Sequence, residues 1–116
     1  MNIRFLPAAI VLMATVSTNV FAECNPPATP RIPTGENATA SRMLTAQEDV
    51  KTFIAQGRQY LACIQSEEAA LAKDASDNER NAIIERYNNM VDKMKTASED
   101  YNEAVSTYKK SLAAAD

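Results

Sequence analysis

The residues with the clearest chemical potential are three pairs of adjacent acids. They are Glu48-Asp49, Glu67-Glu68 and Glu99-Asp100. Paired carboxylates can act as general acid and base when they are buried and held at a fixed separation. Neighbouring residues on a helix point about 100° apart, and these pairs flank apolar stripes. A solvated surface therefore explains them better than catalysis.

The composition excludes the common catalytic and cofactor systems. The chain has 116 residues, with no His and 2 Gly. Without His, neither a Ser-His-Asp triad, nor a Cys-His pair, nor a His-based zinc site can form. So few glycines leave no phosphate-binding loop. The net charge of −3 argues against a nucleic-acid partner, which requires clustered Lys and Arg. We therefore expect no enzymatic activity and no cofactor.

Two further patterns could hold a metal ion, but each has a simpler explanation. Met90 and Met94 lie four residues apart, and thioethers suit Cu(I). Filling of the core explains these methionines better, because Met packs well into irregular gaps. The acidic segment 74–79 is too short for a calcium loop and lacks its central Gly. We predict no metal site.

The first 22 residues have the features of a secretory signal peptide. Arg4 supplies the positive charge, and Ile10–Met13 lies in a short apolar stretch. Val20-Phe21-Ala22 predicts cleavage after Ala22. An uncleaved membrane anchor is the alternative, but the apolar run is shorter than the ~20 residues of a span. We expect a periplasmic or secreted protein with no transmembrane segment after removal of the leader.

The rest of the chain divides into an extended arm and a helical hairpin. Residues 23–38 contain four prolines, which favour an extended, polyproline-like backbone and a turn at Ile32–Gly35. Residues 39–116 have apolar residues in sevens, which predicts helices at about 40–73 and about 77–113. Between them, Ser76-Asp-Asn-Glu79 matches a capping box. We predict an all-α, antiparallel, coiled-coil-like two-helix hairpin, with one unbroken helix as the alternative.

The hairpin fixes which residues lie side by side. With a turn near Ala75, residues whose numbers add to about 151 are neighbours, which sets Gly57 beside Met94. Gly in a helix costs ~1 kcal/mol relative to Ala. Either close packing requires Gly57, or the residue is merely tolerated.

The two cysteines, Cys24 and Cys63, are expected to form an intramolecular disulfide, because an exported protein meets an oxidising compartment. A helix from residue 40 to Cys63 is ~35 Å long, and the arm to residue 39 reaches ~47 Å. The arm can therefore run back along the first helix, in the groove between the helices. An intermolecular bridge is the alternative. A redox-active thiol is disfavoured, because the chain has no Cys-x-x-Cys pattern.

The arm also carries a resemblance. The segments Cys24-Asn-Pro-Pro, Ile32-Pro-Thr-Gly35, Ala38-Thr39 and Tyr60-Leu-Ala-Cys63 resemble small exported bacterial proteins of an uncharacterised family. The resemblance covers roughly residues 24–64. It implies an exported helical protein and brings no activity or site residues. The heptads resemble envelope proteins of the murein lipoprotein type, but Glu23 separates Cys24 from the predicted cleavage point, so no lipidation box is present.

These features favour a non-enzymatic protein of the bacterial envelope, with an interaction or structural role. Its partner would be an unidentified envelope protein or a second copy of the chain. Residues at heptad spacing form the possible interaction face: Tyr60, Tyr87, Met94, Tyr101 and Tyr108. Tyrosines at this spacing are more often part of a core or its edge. The alternative is a chaperone-like protein or a binder of small apolar ligands, which would use the inter-helix groove with the arm as a lid.

Overall fold

The computed structural model describes residues 23–115. The predicted signal peptide, residues 1–22, lies outside the described residues. The described chain forms two helices, α1 (Ala40–Ala70) and α2 (Asp77–Ala114), which pack against each other as a hairpin. The predicted all-α hairpin and its Cys24–Cys63 disulfide are confirmed.

The ends of α1 are defined by extended residues. At its start, the Oγ1 atom of Thr39 accepts a hydrogen bond from the backbone N–H of Arg42 (3.2 Å). At its end, Leu71 has an extended backbone, and its N–H donates to the carbonyl of Glu68 (3.2 Å). Leu71 is partly buried against the core. The helix therefore ends three residues before the expected position near 73, where Leu71 turns inward.

The start of α2 is the predicted capping box. The Oγ atom of Ser76 accepts from the N–H of Glu79 (3.2 Å), and the Oε2 atom of Glu79 accepts from the N–H of Ser76 (2.8 Å). The Arg80 side chain donates to the carbonyls of Ala72 and Lys73 (3.2 and 3.3 Å), just beyond α1. These bonds satisfy backbone groups that a helix terminus leaves free. The helix then continues to Ala114, one residue past the expected end.

The buried side chains repeat every seven residues in both helices. On α1 they are Met43, Ala46, Val50, Phe53, Gly57, Tyr60 and Ile64. On α2 they are Ile83, Met90, Ala97 and Ala104. A strict seven-residue repeat keeps one seam inward only if the helices supercoil to the left. The coiled-coil character of the hairpin follows from this repeat.

The predicted register is confirmed at Gly57. A Cβ atom on Gly57 would lie 2.7 Å from Met94 Sδ and 2.9 Å from Met90 Cε. Such separations are shorter than van der Waals contact, so the side chains of α2 reach the backbone of α1 at this point. The side chains of Met90 and Met94 therefore fill the space that a side chain at residue 57 would occupy.

The arm runs back along α1, as predicted. Cys24 lies at Cys63, with 5.8 Å between their Cα atoms, and Pro33 shares a small cavity with Ala46 of α1. The nine steps along the chain from Cys24 to Pro33 cover about 28 Å in a polyproline conformation. The seventeen steps along α1 from Ala46 to Cys63 cover about 26 Å. The match indicates that the arm is almost fully extended.

The turn that joins the arm to α1 lies at Gly35–Ala38, where the N–H of Ala38 donates to the carbonyl of Gly35 (3.4 Å). The prediction of a turn at Ile32–Gly35 was therefore wrong by three residues. Ile32 instead packs against the core as part of the extended arm. Gly35 and Asn37 both have positive φ (89° and 60°), a conformation that Gly and Asn adopt most readily.

Candidate functional site

One arginine joins the arm, α1 and α2 beside the disulfide. The Arg86 Nη1 atom donates to Glu67 Oε2 (2.6 Å), and its Nη2 atom donates to Glu67 Oε1 (3.4 Å). The same Nη2 atom donates to the backbone carbonyl of Cys24 (3.3 Å). The guanidinium carbon lies 6.0 Å from the centre of the Tyr60 ring. We call Arg86, Glu67, Cys24, Cys63 and Tyr60 the arginine junction.

The ionisation of the junction follows from these contacts. The hydrogen bond from Arg86 lowers the pKa of Glu67, and partial burial opposes that shift. The hydrogen bond to Glu67, and then the interaction with Tyr60, raise the pKa of Arg86. Because the carboxylate is held in its charged form, Glu67 serves as a hydrogen-bond acceptor and is poorly suited to donate a proton.

The junction also contains a cluster of atoms of the kind that bind metals. The Sγ atoms of Cys24 and Cys63 and a carboxylate oxygen of Glu67 lie within 4.8 Å of one another. Metals bind the thiolate form of cysteine, whereas both sulfurs here form a disulfide. The carboxylate is paired with Arg86. The arrangement therefore pins the arm to the hairpin.

The other acids from the adjacent pairs are exposed: Glu48, Asp49, Glu68, Glu99 and Asp100. Glu48 pairs with Lys51 (3.5 Å) and Glu99 with Lys95 (3.8 Å), each within its own helix. Solvent-exposed ion pairs of this kind contribute little to the stability of a protein. Their placement favours the interpretation made from the sequence.

The predicted interaction residues occupy two different places. Tyr60 is buried in the core, with 7% of its surface exposed. Tyr87 and Met94 are partly buried and pack against that core. Tyr101 and Tyr108 are also partly buried. Tyr60 therefore points away from solvent, whereas the other four lie at the margin of the α2 seam.

Beyond these four residues lies an apolar stripe on α2, which belongs to the seven-residue repeat predicted for this helix. Its members are Ile84, Val91, Val105 and Leu112, with Ser98 at the central position. Ile84, Val91 and Leu112 are 49%, 41% and 52% exposed. Each member follows a core position, or its heptad equivalent, by one residue, about 100° further round the helix. The sequence contains a sign of this exposure, because the apolar positions of α2 form a surface wider than one facing helix can cover.

The arm lies on the opposite side of this seam. The cavities beside arm residues 29–33 are lined on α2 by Asp92, Lys93, Thr96, Asp100 and Glu103, together with core alanines. Those residues lie on one side of the buried positions of α2, and the tyrosines and the apolar stripe lie on the other side. On α1, the corresponding positions away from the arm are Ile54 and Leu61, both partly buried. The hairpin therefore has one side covered by the arm and one side without it.

We call the uncovered surface the arm-free face. It comprises Ile54 and Leu61 of α1 and Ile84, Tyr87, Val91, Met94, Ser98, Tyr101, Val105, Tyr108 and Leu112 of α2. The Ser98 hydroxyl donates to the carbonyl of Met94 (3.1 Å), so the polar group in the stripe already has a partner. The face is long and largely apolar, and three tyrosines lie along its α2 side.

Comparison of the chain with protein-family models, with curated proteins and with solved structures finds no match. In the part of the chain that the structure describes, neither helix is apolar enough over its length to cross a membrane.

Proposed function

We propose that this chain is a non-enzymatic interaction module of the bacterial envelope, which associates with another helix through the arm-free face. The observation that carries the proposal is the exposed stripe on α2. Ile84, Val91 and Leu112 remain 41–52% exposed although α1 and the arm cover the neighbouring core positions. Exposed apolar side chains aligned along one helix face are the kind of surface that a partner can bury.

The spacing of the stripe favours a helix as the partner. From Ile84 to Leu112 the apolar positions alternate by three and four residues, which is the pattern of a coiled-coil seam. The 28 residues between these two span about 42 Å. A partner helix of that length can follow the whole seam, because the supercoil keeps the seam on one side.

The proposed location is the periplasm or the exterior. The predicted leader supports it, although residues 1–22 lie outside the described part of the chain. The disulfide between Cys24 and Cys63 adds support, since such bonds persist in oxidising compartments.

The proposal can be tested by photo-crosslinking in living bacteria. A photoreactive residue at Val91 is expected to give a discrete adduct whose partner peptide maps to a helix. The same residue at Glu99, on the outward side of α2, is the matched control and should give no adduct. Val105→Ser should weaken the Val91 adduct. Equal labelling from both positions, together with a monomeric purified protein, would overturn the proposal.

The second candidate, binding of a small apolar ligand, has one observation in its favour. A cavity of about 300 Å³ lies under the disulfide, lined in part by Ala70, Leu71 and Ile83. This volume is at the lower end for a small-molecule site. Titration with an environment-sensitive apolar dye tests it, since Ile83→Asn should abolish dye binding at this cavity.

A further inference from the structure

The charged residues at the heptad positions directly beside the arm-free face are basic. On α1, the heptad positions beside the face are Leu44, Lys51, Arg58 and Gln65. On α2, they are Asn88, Lys95, Asn102 and Lys109. At the turn end of the hairpin, Glu68 and Asp77 occupy heptad positions that are apolar along the rest of the face. A basic border on a chain whose net charge is −3 is a local feature of this face.

We propose that the partner of the arm-free face is an acidic amphipathic helix, with an apolar seam flanked by Asp or Glu. This inference rests on the proposed function and specifies the partner. Flanking charges of a coiled-coil seam set partner choice, because opposite signs attract across the interface. Lys51 and Lys95 already contact Glu48 and Glu99, but these pairs are solvent-exposed and easily exchanged.

The same border disfavours a second copy of the chain as the occupant. In a twofold dimer through this face, each border meets a border of the partner. Both borders are basic, with Lys51 and Arg58 on one and Lys95 and Lys109 on the other. Like charges placed across an interface oppose association. An anionic membrane would satisfy the charge, but a seam with strict heptad spacing matches a helix more closely.

The test uses two synthetic helical peptides of about four heptads with Leu along the seam. One has Glu at every flanking position and the other has Lys. Binding to the disulfide-bonded protein is measured by fluorescence anisotropy at low and high salt. We expect the Glu peptide to bind at least about tenfold more tightly than the Lys peptide, and salt to reduce the difference.

Two neighbouring lysines provide matched variants. Lys109→Glu reverses a charge beside the face and should weaken the Glu peptide roughly threefold. Lys110→Glu reverses a charge about 100° further round the helix, away from the face, and should leave the affinity unchanged. Val91→Ser should abolish binding and leave the melting temperature nearly unchanged, because Val91 is 41% exposed.

Each other outcome would overturn this inference in a distinct way. Equal affinity for both peptides would remove the preference for acid and leave the interaction face intact. Failure of both peptides, with dimerisation that Val91→Ser abolishes, would replace the acidic helix with a second copy. Failure of both peptides, with binding to phosphatidylglycerol vesicles that Lys109→Glu abolishes, would replace it with a membrane. A monomer that binds none of these probes would overturn the proposed function as well.

Discussion

Arg86 of α2 donates hydrogen bonds from both terminal nitrogens to the carboxylate oxygens of Glu67 of α1, at 2.6 and 3.4 Å. This ion pair lies where the arm meets the hairpin. The two residues are 19 positions apart in sequence. Their contact depends on the hairpin register, and the bond from Arg86 to the Cys24 carbonyl depends on the disulfide as well. One side chain thus joins three separate segments of the chain.

The stability of the protein should depend on the charge of Glu67. Its pKa is lowered in the folded state because of the hydrogen bond from Arg86. A group whose folded pKa lies below its unfolded pKa stabilises fully above the unfolded value, and this contribution is lost as pH falls through the folded value. We expect Glu67→Gln to lower the free energy of unfolding by about 0.5–1 kcal/mol at neutral pH, since both partners are partly exposed.

The measurement is urea unfolding as a function of pH. The difference between wild type and Glu67→Gln should shrink on acidification and vanish once the pH lies below the lowered pKa of Glu67 in the folded protein. Glu68→Gln is the matched control, because this neighbouring carboxylate is exposed. A constant difference between wild type and Glu67→Gln at all pH values would contradict the ion-pair interpretation.

Loss of the disulfide should destabilise the arm more than the helices. The bond closes a loop between residues 39 positions apart, which corresponds to about 4 kcal/mol in the chain-entropy treatment. The double variant Cys24→Ser/Cys63→Ser should therefore melt at a lower temperature and retain most of its helical circular dichroism. A reducing agent should lower the melting temperature of the wild type and leave the double variant unaffected. A disulfide-linked dimer on non-reducing gels would contradict the intramolecular assignment.

Gly35→Ala is expected to release the arm from α2. A Cβ atom at Gly35 would meet the backbone carbonyl of Ala104 and lie 3.0 Å from the Tyr108 nitrogen. Backbone atoms of a helix cannot move aside, and φ at Gly35 is 89°. We expect a loss of at least about 2 kcal/mol. Faster hydrogen exchange of the arm and the Gly35–Ala38 turn would locate the effect, and unchanged exchange there would refute it.

Gly57→Ala should behave differently, although it too adds a methyl group in a crowded place. The nearest atoms are Met94 Sδ and Met90 Cε, near the ends of flexible side chains. Their rearrangement opposes a gain in helix propensity of about 1 kcal/mol, so we expect a net change of less than about 1 kcal/mol. Gly57→Leu should cost about 1–3 kcal/mol. Chemical denaturation of both variants measures the contrast, and equal losses would contradict it.

Local patterns in the sequence were sufficient to predict the hairpin. The capping box at Ser76, the seven-residue repeat and the pairing of Gly57 with Met94 depend on short-range chemistry and helix geometry. The disulfide was predictable because the arm is long enough to return from residue 39 to Cys63. Each of these features depends on the geometry of the helices or on the length of the arm, and both can be estimated from the sequence.

The arginine junction and the position of the turn could not be predicted in this way. Arg86 contacts Glu67 and Cys24 only after three segments have docked, and nothing near Arg86 in sequence indicates those partners. Gly35 forms its turn three residues late because Ile32 and Pro33 are used to cover the groove. The apolar repeat predicted a wide apolar surface on α2, but it does not show which part of that width a neighbouring helix leaves exposed.

The disulfide also determines how the molecule responds to tension. If the chain is pulled from residue 23 and from the end of α2, force passes from Cys24 directly to Cys63 and bypasses the segment between them. The bond joins residues 39 positions apart, and the chain between them then contributes no extension, which shortens the unravelled length by about 130 Å. Under load, the arm and α1 from Ala40 to Cys63 form a closed ring that bears no force, while the rest of α1, the turn and α2 bear it.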